Sequence, residues 1–272
     1  MHPTQNCDMI ILSEAYKKRP SEREVPNMHR TITPEKLSYY AYINFDAVKE
    51  PVRGVVVEFI GLGGNGMYTE DTARGKRFGE MGFYYVLPYL NPWNWMNDQA
   101  VRTTDCILDG LVRLHGEILP VISTGGSMGG QSALVYSAKS RHPVVACVAN
   151  CPVCDLPFHY TEREDLPRTL VSAFGDKVNK DVPLYDVLKT ASPLHLAESG
   201  RMPDIEYTIF HCTADEAVNK QDHSDRFVPV LRKHLKKGFA DYIAVPDKGH
   251  CQLTDAMWEK YFEAVDIAAK KL

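Results

Sequence analysis

No apolar run in the 272-residue chain approaches the roughly 18 residues that a membrane-spanning helix needs. No strong charge of either sign is present. Lysine plus arginine number 31 and aspartate plus glutamate 35, a balance of −4. That gives no electrostatic footprint for nucleic acid or an anionic membrane. Near the start, the apolar run Met9 to Leu12 falls short of the roughly 7–15 residues in the core of a secretory signal. The expected location is therefore the cytoplasm. The seven cysteines are an odd number without the spacing of a disulfide framework, which suits a reducing compartment. Repeats and low-complexity tracts are missing as well. What is there is ordinary globular usage, 44% hydrophobic and 24% charged residues. A disordered tail, a collagen and a coiled coil are excluded.

The length fits one large α/β domain. Residues 1–38 are polar and rich in proline, and read as an N-terminal arm or extension. From 39 to 272 extended and helical signals alternate. Strands are expected at Tyr39–Phe45, Arg53–Ile60, Phe83–Leu87, Val121–Gly126, Val144–Val148, Ile205–His211 and Tyr242–Val245. Helices are expected over 70–81, 101–117, 128–141, around 227–231 (where Pro229 must start or kink the helix) and 252–270. Strands alternating with helices imply βαβ units and a mostly parallel sheet. Residues 151–204 hold six prolines and no clean period. They are expected as a cap-like insertion over one end of the sheet.

The sharpest motif is Ser123-Thr-Gly-Gly-Ser-Met-Gly-Gly130, which contains Gly125-x-Ser127-x-Gly129 between a strand and a helix. A serine on such a tight turn has a strained backbone, so its neighbours must be small. The turn lifts Oγ above the sheet and aims a helix N-terminus at it, so the Met128 N–H can donate to an oxyanion. An ordinary glycine-rich turn is the plainer reading of the five letters. A serine hydroxyl needs a base, and the elbow pattern asks for an acid and then a histidine after later strands. Asp215 and His250 stand in that order. Glu216 is the weaker alternative acid, and His211 lies before the acid rather than after it. The loop Gly61-Leu-Gly-Gly-Asn-Gly66 is expected to give a second oxyanion donor, the Leu62 N–H first and then Gly63.

That loop also spells Gly61-x-Gly63-x-x-Gly66, a dinucleotide fingerprint. The fingerprint wants an acidic residue at the end of the next strand, and Tyr85 to Asn91 has none. Cys151-Pro-Val-Cys154 is a lone CxxC without a second ligand pair, and reads as buried or incidental thiols. Trp93, Trp95 and Met96 either line a pocket or pack under the insertion. Gly63, Trp93 and Trp95 are the candidate substrate-pocket residues. Glu58 stands inside an apolar strand and needs partners, either the oxyanion loop or the solvent at a sheet edge.

These residues resemble the α/β-hydrolase superfamily, and within it the branch of acetyl xylan esterases (cephalosporin-C deacetylases), dienelactone hydrolase-like proteins and prolyl oligopeptidase catalytic domains. The elbow Gly-Gly-Ser127-Met-Gly-Gly is similar to the Gly-Gly-Ser-Gln-Gly-Gly of the acetyl esterases. Glu58-Phe-Ile-Gly-Leu62 lies where that family has a Phe-His-Gly-Tyr segment, and Cys154-Asp-Leu-Pro-Phe158 resembles its Cys-Asp-Val-Pro-Phe. The resemblance spans about residues 50–270. It implies an α/β-hydrolase fold, a mostly parallel central sheet flanked by helices, with a small insertion after the sixth strand. It also implies Ser127, Asp215 and His250 as catalytic residues and the Leu62 N–H in the oxyanion hole. Ile60 replaces the family's histidine and Met128 its glutamine. Both departures bear on substrate more than on chemistry, because the donors are backbone groups. The N-terminal 50 residues are not expected to carry the β-propeller that gates peptides in oligopeptidases.

The expected function is a serine hydrolase, a carboxylesterase (EC 3.1.1 type) cleaving small acyl, acetyl-type esters through an acyl-enzyme. It needs no cofactor or metal. Its partner is a small-molecule ester, with no nucleic acid or membrane, and the chain is compatible with a homo-oligomer. Two alternatives stand beside it. One is a small peptidase or amidase with an acidic cluster such as Asp155, Glu162 and Glu164 for a peptide amine. The other is a non-catalytic hydrolase-fold binding protein.

Overall fold

The structure is a computed structural model and describes residues 32–64 and 66–270. The arm expected over 1–38 therefore falls outside the described residues up to position 31. Its last residues join the core: Ile32 and Leu37 are buried, and the Arg113 guanidinium donates to the Ile32 carbonyl at 3.3 Å.

Among the described residues seven strands form one sheet: β1 (Ala41–Ile43), β2 (Gly54–Phe59), β3 (Phe83–Pro88), β4 (Val121–Gly126), β5 (Val144–Asn150), β6 (Glu206–Cys212) and β7 (Ala240–Val245). Their order is β1-β3-β2-β4-β5-β6-β7. Only the edge strand β1 is antiparallel; every other pairing is parallel. Parallel strands covered on both faces read as continuous apolar runs, as Val55-Val-Val does. Val55, Val57 and Phe59 enter one core, while Val56 enters the other.

On the first face lie α2 (Asp98–His115), α3 (Met128–Lys139) and α8 (Ser224–His234), which contribute Ile107, Leu134 and Phe227. On the second lie α1 (Ala73–Glu80) and α9 (Asp255–Lys270), with Phe78, Tyr261 and Val265. Local chemistry sets the helix limits. Thr72 caps α1 through the Gly75 N–H at 2.9 Å. Asn97 caps α2 through the Ala100 N–H at 3.0 Å, and Gly116 ends that helix at φ 94°. Pro229 lies inside α8, where a proline removes one ladder hydrogen bond.

The strand expected over 39–45 is shorter than its apolar pattern. A 3-10 turn, Pro34–Tyr39, takes the beginning. Asn44 ends the strand because its side chain captures the β3 backbone, accepting from Tyr85 N at 2.7 Å and donating to Phe83 O at 3.2 Å. The insertion folds as four short helices, α4 (Leu156–Glu162), α5 (Leu166–Phe174), α6 (Leu184–Lys189) and α7 (Pro193–Glu198). It follows β5, the fifth strand in chain order among the described residues, one fewer than the resemblance counts.

After β2 the chain crosses to β3 on one side, then to β4 on the other. A crevice opens at such a switch point, beyond the C-terminal strand ends. The loop after β2 and the turn after β4 face each other there. Among the described residues no helix is long and apolar enough to cross a membrane.

Candidate active site

Ser127 occupies the turn between β4 and α3 with φ 60° and ψ −127°, a region that costs a non-glycine residue roughly 1–3 kcal/mol. The turn is held on both sides. The Ser127 N–H donates to Asn150 O at 2.9 Å, and Ser127 O accepts from Gln131 N at 3.0 Å. The neighbouring glycines are dictated by close approach. A Cβ on Gly129 would stand 2.0 Å from Phe59 O, and one on Gly125 would stand 2.4 Å from Gly129 O. The start of α3 is thus pressed against the end of β2, and no side chain fits between.

Asp215 lies just past β6 and His250 just past β7. His250 Nδ1 donates to Asp215 Oδ2 at 2.7 Å. The other carboxylate oxygen accepts from the Ala217 and Val218 N–H groups, both at 2.9 Å. Burial raises the Asp215 carboxyl, but the His250 and Val218 hydrogen bonds and the imidazole's charge outweigh it, and the group sits below its usual range. Burial lowers His250, and the bond to Asp215 and the carboxylate's charge more than reverse that, leaving it above the ordinary 6.5. The imidazole is therefore oriented with Nδ1 protonated and its lone pair on Nε2.

His250 Nε2 has Cys251 Sγ at 3.8 Å. Among the described residues no hydrogen bond joins it to Ser127 Oγ, although both residues line one cavity. Glu216 is exposed. His211 is fully buried, bonded to Ser224 Oγ at 2.7 Å and to Val218 O at 2.9 Å. Burial depresses it to about 4. With both ring nitrogens occupied, it is not placed to act on a substrate.

The Met128 and Leu62 N–H groups have no backbone acceptor among the described residues. Leu62 and Ser127 share the cavity wall. The Gly63 N–H, by contrast, is spent on Pro92 O at 3.0 Å. Of the three expected pocket residues, Trp95 lines the cavity, while Gly63 and Trp93 lie outside its lining. Trp93 instead carries the Arg168 guanidinium of α5 over its ring at 4.8 Å. Met96 is buried. The glycine loop does not open a helix, since α1 begins only at Ala73. A pyrophosphate on this loop would meet no helix N-terminus, as the dinucleotide reading requires.

The cavity holds about 740 Å³. Toward α1 its wall is polar. Glu58 accepts from Arg74 and, at 2.5 Å, from Tyr85 OH, and Arg74 lies over the Trp258 ring at 4.9 Å. That answers where the strand-borne carboxylate finds partners. Toward the insertion the wall is formed by Trp95, His159, Arg163 and Leu166. The acidic candidates there are all committed or remote. Asp155 caps α4 at Phe158 N (3.1 Å) and pairs with Arg226 (2.7 Å). Glu162 accepts from His159 and His223. Glu164 is exposed. None of the three lines the cavity.

Sequence reasoning considered Cys151, Cys154 and His159 only as metal ligands, and did not place Cys151 and Cys251 beside Asp215 and His250 or His159 in the cavity wall. Cys151, at φ 44°, is buried and lies with His211 and Asp215 in one group of close potential ligands, and with His250 and Cys251 in another. Its thiol is pushed upward by a hydrogen bond with Cys251 and by burial. Cys154 does not face Cys151; its thiol donates to Pro152 O at 3.5 Å. The third group, His159, Glu162 and His223, is a proton-linked network. His223 Nδ1 accepts from the Cys154 and Asp155 N–H groups, both at 3.2 Å. The proton is thus on Nε2, which donates to Glu162 at 3.0 Å. A metal would need that same nitrogen bare. No sequence spacing signals this network, because its members come from α4 and from the residue before α8.

No protein-family model matches the sequence, and no curated protein matches it. Solved structures do. An acylaminoacyl peptidase from Pyrococcus horikoshii aligns with a TM-score of 0.57 at 16% identity, over 74% of this chain and 34% of that one. A thermophilic esterase, Est2, from the planctomycete Thermogutta terrifontis aligns at 0.58 and 19% identity, over 85% of this chain and 86% of the esterase. Acetyl xylan esterase 1 from Thermoanaerobacterium sp. JW/SL YS485 aligns at 0.55 and 14% identity, over 81% and 76%. The chain has the α/β-hydrolase fold. It spans about a third of the peptidase's length (34%) and most of each esterase's. Within the hydrolase fold, the turn after β4 and the loops after β6 and β7 are the segments that carry Ser127, Asp215 and His250.

Proposed function

We propose that the protein is a serine hydrolase, and more specifically a carboxylesterase for small acyl esters. The observation that carries this reading is the oriented imidazole. His250 is fixed by Asp215 at 2.7 Å in the wall of the cavity that Ser127 also lines. In the proposed reaction Ser127 Oγ attacks the ester carbonyl while His250 Nε2 takes its proton. The tetrahedral oxyanion accepts from the Met128 and Leu62 N–H groups, each worth roughly 3 kcal/mol in comparable sites. His250 then protonates the departing alcohol, leaving an acyl group on Ser127. Water, deprotonated by the same nitrogen, releases the acid. Asp215 keeps the Nδ1–H tautomer and stabilises the imidazolium.

The ester reading is favoured over the peptidase or amidase reading by the wall toward the insertion. Asp155 and Glu162 are engaged with protein partners and Glu164 does not line the cavity, so among the described residues none of these candidate carboxylates is placed for a peptide amine. The direct test is hydrolysis of p-nitrophenyl acetate by the wild type and by Ser127→Ala. The wild type is expected to turn over and the variant to lose at least a thousandfold. Equal rates would remove Ser127 from its role. A panel of short peptide amides against acetyl esters separates the peptidase alternative. Fluorophosphonate labelling separates a non-catalytic binding protein, whose unactivated serine would stay unlabelled.

A further inference from the structure

His159 is only 2% exposed, yet it lines the cavity of Ser127. Its Nδ1 is bonded to the Glu162 carboxylate. Glu162 also receives the Nε2–H of His223, whose own tautomer is fixed by two backbone donors. Glu162 has no proton to give; its burial is outweighed by the two histidine hydrogen bonds, which hold it at about 2. His159 Nδ1 must therefore carry the proton and donate it, so the lone pair is on Nε2. Among the described residues Nε2 has no hydrogen-bond partner, and it is not one of the fully enclosed orphan atoms. A buried histidine with one nitrogen pinned and the other bare in a cavity wall is an acceptor awaiting a donor. Burial keeps the ring neutral by lowering it below the ordinary 6.5.

The Trp95 ring stands edge-on to His159 at 5.7 Å. Trp95 is itself immobilised, its Nε1–H donating to Thr169 Oγ1 at 3.0 Å. The bare nitrogen is thus held by packing as well as by Glu162. Among the described residues no carboxylate lines this wall, which disfavours a cationic donor and leaves a neutral one, which an ester substrate supplies as a hydroxyl.

We propose that His159 Nε2 accepts a hydrogen bond from a free hydroxyl on the bound ester, so that the cavity selects hydroxylated esters over deoxy counterparts of the same shape. Glu162 and His223 are positioning residues that fix the tautomer. The proposal rests on the esterase reading for its substrate.

Two isosteric pairs test it: 2-hydroxyethyl acetate against propyl acetate for the alcohol side, and methyl 3-hydroxybutanoate against methyl 3-methylbutanoate for the acyl side. The wild type is expected to prefer the hydroxylated member of at least one pair by about tenfold or more in kcat/KM. His159→Phe removes the acceptor and keeps the ring volume. It should abolish that preference. A wild-type ratio near one in both pairs, or a ratio that survives His159→Phe, overturns the proposal. A second measurement needs neither turnover nor a substitution of His159. In ¹⁵N-histidine NMR of the wild type, His159 should show the Nδ1–H tautomer. In Ser127→Ala, its Nε2 resonance should move toward hydrogen-bonded values on adding 2-hydroxyethyl acetate or methyl 3-hydroxybutanoate, and not on adding their deoxy partners. An Nε2–H tautomer, or no shift with either hydroxylated ester, refutes the proposal. Absence of p-nitrophenyl acetate hydrolysis would instead count against the esterase reading alone.

Discussion

Replacing Ser127 by glycine should make the protein more stable while removing its activity. Ser127 holds φ 60° and ψ −127°, a conformation that costs a residue with a Cβ about 2 kcal/mol. Glycine adopts it without that cost but gives up roughly 1 kcal/mol of backbone entropy on folding. The net expectation is about 1 kcal/mol in favour of Ser127→Gly. Ser127→Ala is the control, because it keeps the Cβ and therefore the strain. The Ser127 hydroxyl makes no hydrogen bond among the described residues, so its loss should leave stability within about 0.5 kcal/mol of the wild type. With unfolding entropy near 2 cal/mol/K per residue, a chain of this size shifts by roughly 2 °C per kcal/mol. Calorimetry at pH 7 should then rank Ser127→Gly about 2 °C above both Ser127→Ala and the wild type. If glycine melts at or below alanine, the turn stores no strain and the elbow argument fails.

Other expectations follow from the same geometry. Because Asp215 raises His250 above 6.5, and only the neutral imidazole can take a proton, kcat/KM should rise through an acid limb centred above pH 6.5. Asp215→Asn should lower that midpoint as well as the rate, which a pH profile of p-nitrophenyl acetate hydrolysis would show. Gly129→Ala would put a Cβ 2.0 Å from Phe59 O, a clash with backbone that cannot rotate away. It should cost at least about 3 kcal/mol, read as a lower urea midpoint or loss of soluble protein. His211 is buried neutral, with its titration moved from 6.5 down to about 4. The unfolded chain therefore binds a proton that the native state refuses, and stability is lost as pH falls through that window. Relative to His211→Gln, the wild type should lose roughly 3 kcal/mol between pH 6.5 and 4 in denaturant titrations.

The strand runs were legible because a doubly covered parallel sheet needs apolar residues at every position, as in Val55 to Val57 and Val121-Ile122. The elbow was legible because two backbones meet at Gly125 and Gly129, and only glycine permits it. Asp215 and His250 were placed by order along the chain, each just after a strand. Trp93 shows where pattern stops short. Its size left two readings, a pocket wall or packing under the insertion; Arg168 from α5 of the insertion covers its ring, and no local rule couples positions so far apart. Gly63 failed as a donor for a similar reason, since its N–H goes to Pro92 O.

The sequence alone determined what short-range sterics and periodicity encode: the alternation of strands and helices, the strained serine between its glycines, and an acid and a histidine in the right succession. Tertiary structure alone decided which polar groups are used up and which stay bare. It brought Arg74 and Tyr85 to Glu58, closed Asp155 and Glu162 off from the cavity, and left one nitrogen of His159 open toward it. Hydrogen-bond satisfaction depends on every neighbour in space, and those neighbours are supplied by elements far apart in the chain.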